Sequence, residues 1–199
     1  YKDFKGKYTV SDLSAQLLKY GKQKAKRLNF DKVLNFEQID AMENKVSIKN
    51  YYDIVIMHTL ISHVPDPRIV LTNAMKYINK SGKIIIFDAD YETLLMSSGD
   101  KKLDDIVNNA IKKGCVAQPK VMREIPKIAK DLDLNFLNYQ SNLLFEAGEA
   151  DFFYGMGKAL STAVVKSKQL NEIVAKEWIS KLEESMKQQT FFGMCPYVT

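Results

Sequence analysis

Two short apolar runs dominate the first half of the chain: Ile54, Val55, Ile56, Met57 and then Ile84, Ile85, Ile86, Phe87. Both are too brief for helices and rich in β-branched side chains, the pattern of strands buried on both faces of a parallel sheet. Between them Asp66 suits a helix N-cap and Pro67 the first helical position. Leu71, Ala74, Met75 and Ile78 then recur at i, i+3, i+4 and i+7, which defines one buried helix face. Asn79-Lys80-Ser81-Gly82 should end that helix in a tight turn. A strand–helix–strand unit of this length predicts a right-handed crossover between parallel strands.

The same alternation extends upstream. Residues 6–12 read as a turn and a short strand ending on Asp12, and Ser14 suits the N-cap of a helix burying Leu17, Leu18, Ala25 and Leu28. Residues 32–36 read as a second strand leading to Asp40-Ala41. After Asp90 the pattern changes. Residues 91–102 read as a loop; Leu103, Ile106, Val107, Ala110 and Ile111 then form an amphipathic helix closed by Gly114. The next helix carries Ile125, Ile128, Ala129 and Leu132, and tolerates Pro126 only in its first turn. Residues 135–145 look strand-like, 150–188 helical with a break near Lys166-Ser167, and 191–198 a final strand. The expected fold is α/β: a mostly parallel, doubly wound sheet with an antiparallel edge strand and a helical cover. It is read as one domain, with a core at 1–90, helices and cover at 91–190, and a last strand at 191–199.

Composition narrows the function. The 199 residues and 46% hydrophobic content suit one soluble α/β domain. No apolar run reaches membrane-spanning length, and no basic-then-apolar leader opens the sequence. Cys115 and Cys195 form neither a disulfide framework nor a metal-ligand spacing with His58 and His63, which points to the cytoplasm and to no metal site. The net charge of +5 falls wholly within residues 1–50, which hold 11 Lys/Arg against 6 Asp/Glu. Aromatic residues do not alternate with Lys19, Lys22, Lys24, Lys26 and Arg27, so a solvated helix face is expected rather than a nucleic-acid footprint.

Candidate chemistry clusters around the central unit, in His58 and His63 and in Asp88-Ala89-Asp90. The order of strand, Leu60-x-x-His63-Val64-Pro65-Asp66-Pro67, helix, Ser81-Gly82-Lys83, strand and Asp88-x-Asp90 resembles the second half of a class I S-adenosylmethionine-dependent methyltransferase. The likeness is nearest to the branch containing ubiquinone and menaquinone methyltransferases. Upstream, Ser11-Asp12-Leu13-Ser14 resembles the family's V-D-L-S segment, which implies that Asp12 and Leu13 meet the cofactor's ribose. Asp40-Ala41-Met42 resembles its G-D-A segment at the adenine, with Ile39 in place of the glycine. Downstream, residues 122–136 resemble the helix leading into the family's sixth strand, and 150–198 its lid and seventh strand, so the likeness covers nearly the whole chain.

The resemblance implies S-adenosylmethionine as cofactor and methyl transfer to a small-molecule acceptor; charge and hydropathy point to no nucleic-acid partner and no membrane span. His58 and Thr59 become neighbours of adenine or sulfonium, and His63 the candidate base. Tyr91, Phe152, Phe153 and Tyr154 are candidates for lining an apolar acceptor pocket. Simpler roles stay open for several of them: a capping acid for Asp12, a turn aspartate for Asp40, a loop-fixing ring for His63. Two departures stand out. Lys80-Ser81-Gly82 replaces the family's K-P-G-G, and no strand with a G-x-G-x-G loop precedes Asp12. Residues 1–4 resemble the end of the helix after that loop, so the loop is expected upstream of Tyr1; the alternative is a degenerate, non-catalytic binding module. Asp88-x-Asp90 alone would also suit a metal-dependent glycosyltransferase. A dehydrogenase is disfavoured, since no G-x-G-x-x-G is present.

Overall fold

The computed structural model describes residues 6–43 and 52–199, so the segment 1–4 lies outside the described residues. Strand β1 (Tyr8–Asp12), helix α1 (Ala15–Arg27) and strand β2 (Leu34–Gln38) form the first unit. β1 and β2 pair in parallel, with Asp12 opposite Gln38. Ser14 caps α1 as expected, its hydroxyl accepting from the Leu17 N–H. Of the four residues expected inside, Leu18 and Ala25 are buried while Leu17 and Leu28 are exposed. A sheet of two strands covers only a narrow stripe of the helix, and Gly21 receives the Phe36 ring against that stripe.

The second unit is the expected crossover: β3 (Tyr52–His58), α2 (Pro67–Tyr77) and β4 (Ile78–Ala89). The two strands run parallel, from Ile54 opposite Lys83 to His58 opposite Phe87. Asp66 accepts from the Arg68 N–H and so caps α2, with Pro67 behind it. The expected turn at 79–82 is instead an excursion inside β4. Pairing jumps from Tyr52–Ile78 to Ile54–Lys83, and Asn79 holds the intervening residues by bonding both Asp53 and the Ser81 N–H. Gly82 is required there, because a Cβ would come 2.8 Å from the Asp53 carbonyl oxygen.

Beyond Asp90 come a 3-10 turn (Tyr91–Thr93), β5 (Leu95–Ser97), α3 (Lys101–Gly114), α4 (Val121–Asp131), β6 (Ser141–Gly148), α5 (Phe152–Lys166), α6 (Glu172–Lys187) and β7 (Phe191–Val198). β7 runs antiparallel to β4, β5 and β6, so the α/β fold carries a mixed sheet in the order β3-β4-β7-β5, with β6 along the other edge of β7. The segment 91–102 therefore holds a strand where a loop was expected. Residues 135–140, expected as strand, precede β6. Pro126 is the sixth residue of α4 and not in its first turn.

Two cores flank this sheet. Met57, Ile61, Val70, Leu71, Ile125 and Val198 meet between β3, β4, α2 and α4. Phe153, Trp178, Leu182, Phe191 and Cys195 meet beneath α3, α5 and α6. Val198 and Cys195 alternate along β7, so the cores occupy opposite faces of that strand.

Candidate functional site

β1 pairs with β2 and β3 with β4, and no ladder joins the two pairs among the described residues. At their amino ends the Tyr52 hydroxyl donates to the Thr9 hydroxyl at 2.7 Å. In open α/β sheets ligands bind in a crevice outside the carboxyl ends of the strands. The sequence candidates fall at these ends: Asp12 closes β1, Asp40 follows β2, and His58 closes β3.

Both aspartates are half-buried and held by their own loops. Asp12 Oδ1 accepts from the Ser14 N–H at 2.7 Å, and Asp40 Oδ1 accepts from the Met42 N–H at 2.8 Å. Each such turn ties one carboxylate oxygen to the backbone two residues on. The Leu13 side chain is exposed, and its carbonyl accepts from Gln38 Nε2. Ala41 and Met42 pack against the core around α2. Buried Asn73 donates to the Ala41 and Glu43 carbonyls at 2.9 and 3.2 Å, which docks the Asp40 loop onto α2.

On the β3 side Thr59 has φ of +46°, in the left-handed region that a β-branched residue rarely enters. Its N–H donates to the Phe87 carbonyl at 2.8 Å, so the corner is held by the neighbouring strand, and its hydroxyl lies 3.2 Å from His58 Nδ1. Strain of this kind concentrates where a loop must present specific groups. The His58 ring is exposed and stacks on Phe87 with centroids 4.9 Å apart; Phe87 stacks in turn on Tyr197 at 5.2 Å. His63 is exposed, its N–H closing a turn onto the Leu60 carbonyl and its ring edge-on to Tyr91 at 5.9 Å.

Asp88 anchors this loop from below. Fully buried, it accepts from the Ser62 N–H and hydroxyl, both at 3.0 Å, and from the Ala89 N–H at 2.8 Å. Asp90 instead takes Arg123 in a two-pronged pair at 2.8 and 3.2 Å. The two carboxylates of the D-x-D are thus committed to different partners. Burial, then the nearby Asp88 charge, pushes the Tyr91 phenol far above its ordinary range. Burial first, with Cys195 and Asp88 after it, pushes the Tyr197 phenol up to about 12. Both phenols stay protonated near neutrality and remain hydrogen-bond donors.

Of the other aromatic candidates, Phe153 belongs to the core, Tyr154 bonds Glu183 on α6, and Phe152 is exposed at the start of α5. Only Tyr91 joins the histidine loop. Phe87, Ser62, Asn73, Arg123 and Tyr197 were not singled out from the sequence. The Ser62-to-Asp88 and Asn73-to-loop bonds join segments 26 or more residues apart, and no local pattern marks them. Two open hollows, of about 620 and 580 Å³, lie elsewhere, one beside Ser98–Lys102 and α6, the other between Pro65–Arg68 and α4.

A methyltransferase domain family matches residues 2–97, just under half of the chain. A Galdieria sulphuraria structure assigned as a sarcosine dimethylglycine methyltransferase is 12% identical, with 99% of this chain and 70% of that one aligned at a TM-score of 0.57. A Bacillus halodurans methyltransferase structure is also 12% identical, covering 97% and 80% at 0.63. The YcgJ protein of Bacillus subtilis is 13% identical, covering 96% and 80% at 0.57. No curated protein matches the sequence. The fold is that of a class I S-adenosylmethionine-dependent methyltransferase. Among the described residues no helix is long and apolar enough to cross a membrane.

Proposed function

We propose that the protein transfers a methyl group from S-adenosylmethionine to a small-molecule acceptor by in-line displacement. The observation that carries this reading is the presence of Asp12 and Asp40 at the carboxyl ends of adjacent parallel strands. These carboxylates suit the nucleoside: Asp12, with Leu13 beside it, for the ribose hydroxyls, and Asp40, with Ala41 and Met42, for the adenine amine. His58 and Thr59 suit its far side.

When bound, that cofactor supplies a methyl group already activated on a sulfonium. The chain's own task is then alignment and exclusion of water, the effects that dominate when the leaving group is reactive. Asp88 fixes the loop through Ser62, so that His63 is presented at its edge. From that position the imidazole takes a proton from the acceptor atom as it is methylated. The methionine end needs backbone N–H groups from a glycine-rich turn. We assign that turn to a strand entering between β1 and β3, whose facing edges carry no ladder among the described residues. The quinone-methylating branch and a cytoplasmic location complete the reading, on sequence order and cysteine usage.

Incubating the full-length protein with methyl-labelled cofactor and a small-molecule extract tests the reading. Label recovered on a small molecule is the expected outcome. Cofactor bound without any transfer would make the protein a binding module instead.

A further inference from the structure

We infer that β6 is a self-pairing edge, through which two copies of the chain join antiparallel about a two-fold axis. Unpaired strand edges are normally blunted by shortness, proline, lysine or a bulge. β5, with three residues, is protected by its length, and β2, with five, ends beside Glu37. β6 has none of these devices. It runs for eight residues, Ser141-Asn-Leu-Leu-Phe-Glu-Ala-Gly148, and pairs with β7 at every position without a register shift. Since β7 uses its other side for β4 and β5, the far edge of β6 is unpaired among the described residues.

The one charged side chain on β6 is withdrawn from that edge. The Glu146 carboxylate accepts from the Asp151, Phe152 and Phe153 N–H groups at the start of α5. No charge remains along β6 to repel an identical strand. On the outward face Leu143 and Phe145 are 56% and 59% exposed, where an antiparallel sheet ordinarily carries polar residues. Met194 lies opposite Phe145 and Leu95 opposite Met194, so the apolar row continues across three strands.

A second copy matches this edge better than an unrelated strand. Identical antiparallel strands are self-complementary about a two-fold axis. With Leu144 on the axis, Leu143 of each copy stands opposite Phe145 of the other, giving two cross-strand apolar pairs on one face. The three strands β5-β7-β6 then continue as six.

Light scattering on the full-length protein over a range of concentrations should show a dimer, and Leu143→Lys with Phe145→Lys should render it monomeric. Both side chains are exposed, so an unchanged circular dichroism spectrum separates lost association from lost folding. Mixing a Leu143→Cys chain with a Phe145→Cys chain should give a disulfide-linked pair that neither forms alone. A protein monomeric at every concentration, or a dimer that survives the lysine substitutions, would overturn the inference. So would a β6 edge protected from hydrogen exchange by a different polypeptide rather than by its own copy.

Discussion

Asp88 binds Ser62 twice, by backbone N–H and by hydroxyl, and through that pair the end of β4 fixes the loop that carries His63. The carboxylate is fully buried, so removing it leaves three donors without a partner. Asp88→Ala should cost about 3 kcal/mol or more, whereas Ser62→Ala, which removes one hydroxyl, should cost about 1–2 kcal/mol. Urea unfolding of both variants checks the order. Equal losses would mean that Asp88 has no role beyond the one hydroxyl.

A proline inside a helix frees the carbonyl four residues earlier. For Pro126 that carbonyl belongs to Met122, and the Tyr139 hydroxyl donates to it at 2.8 Å. Tyr139→Phe should therefore destabilise by about 1 kcal/mol. In a Pro126→Ala background, where the introduced alanine supplies a backbone N–H of its own, the same change should cost markedly less. Additive effects in that double-mutant cycle would refute the substitution of one donor for the other.

Much of the fold is legible in the sequence, because buried parallel strands and helix caps are local signals. The isoleucine runs of β3 and β4, the Ser14 and Asp66 caps, and the break before α6 all follow from neighbouring residues. β5 is not legible, since three residues become a strand only by pairing with Phe192–Met194, about a hundred positions later. Pro126 misleads for the same reason: the donor that makes it tolerable arrives from a distant segment. At the candidate site the aspartates and histidines are visible as chemistry, while the aromatic row of His58, Phe87 and Tyr197 exists only once β4 and β7 are neighbours.

Alkaline pH should weaken the fold. Burial raises Cys115 from 9.0 to about 11 and Cys195 from 9.0 to about 12, and raises Tyr197 from 10.0 to about 12. Each group holds its proton more tightly when folded, so between the ordinary and raised values the native state binds more protons. Stability is then full below about pH 9 and falls as pH climbs toward 12. Melting temperatures from pH 8 upward, compared with those of Cys195→Ser, measure this slope; a flat profile would contradict it.

If His63 takes the acceptor's proton, His63→Gln should lower kcat by about 100-fold or more and remove the acidic limb of the pH–rate profile. Cofactor affinity should stay unchanged. A variant with unaltered rate and profile would leave His63 as a loop residue only.

The central claim, that Asp12 and Asp40 grip a nucleoside between β1 and β3, is tested most directly by calorimetric titration of the full-length protein with S-adenosylmethionine. The account predicts saturable one-site binding, weakened by about 1.5–3 kcal/mol in Asp12→Ala through lost charge-assisted hydrogen bonds. No measurable binding by the unaltered protein, or equal affinity in the Asp12→Ala variant, would contradict it.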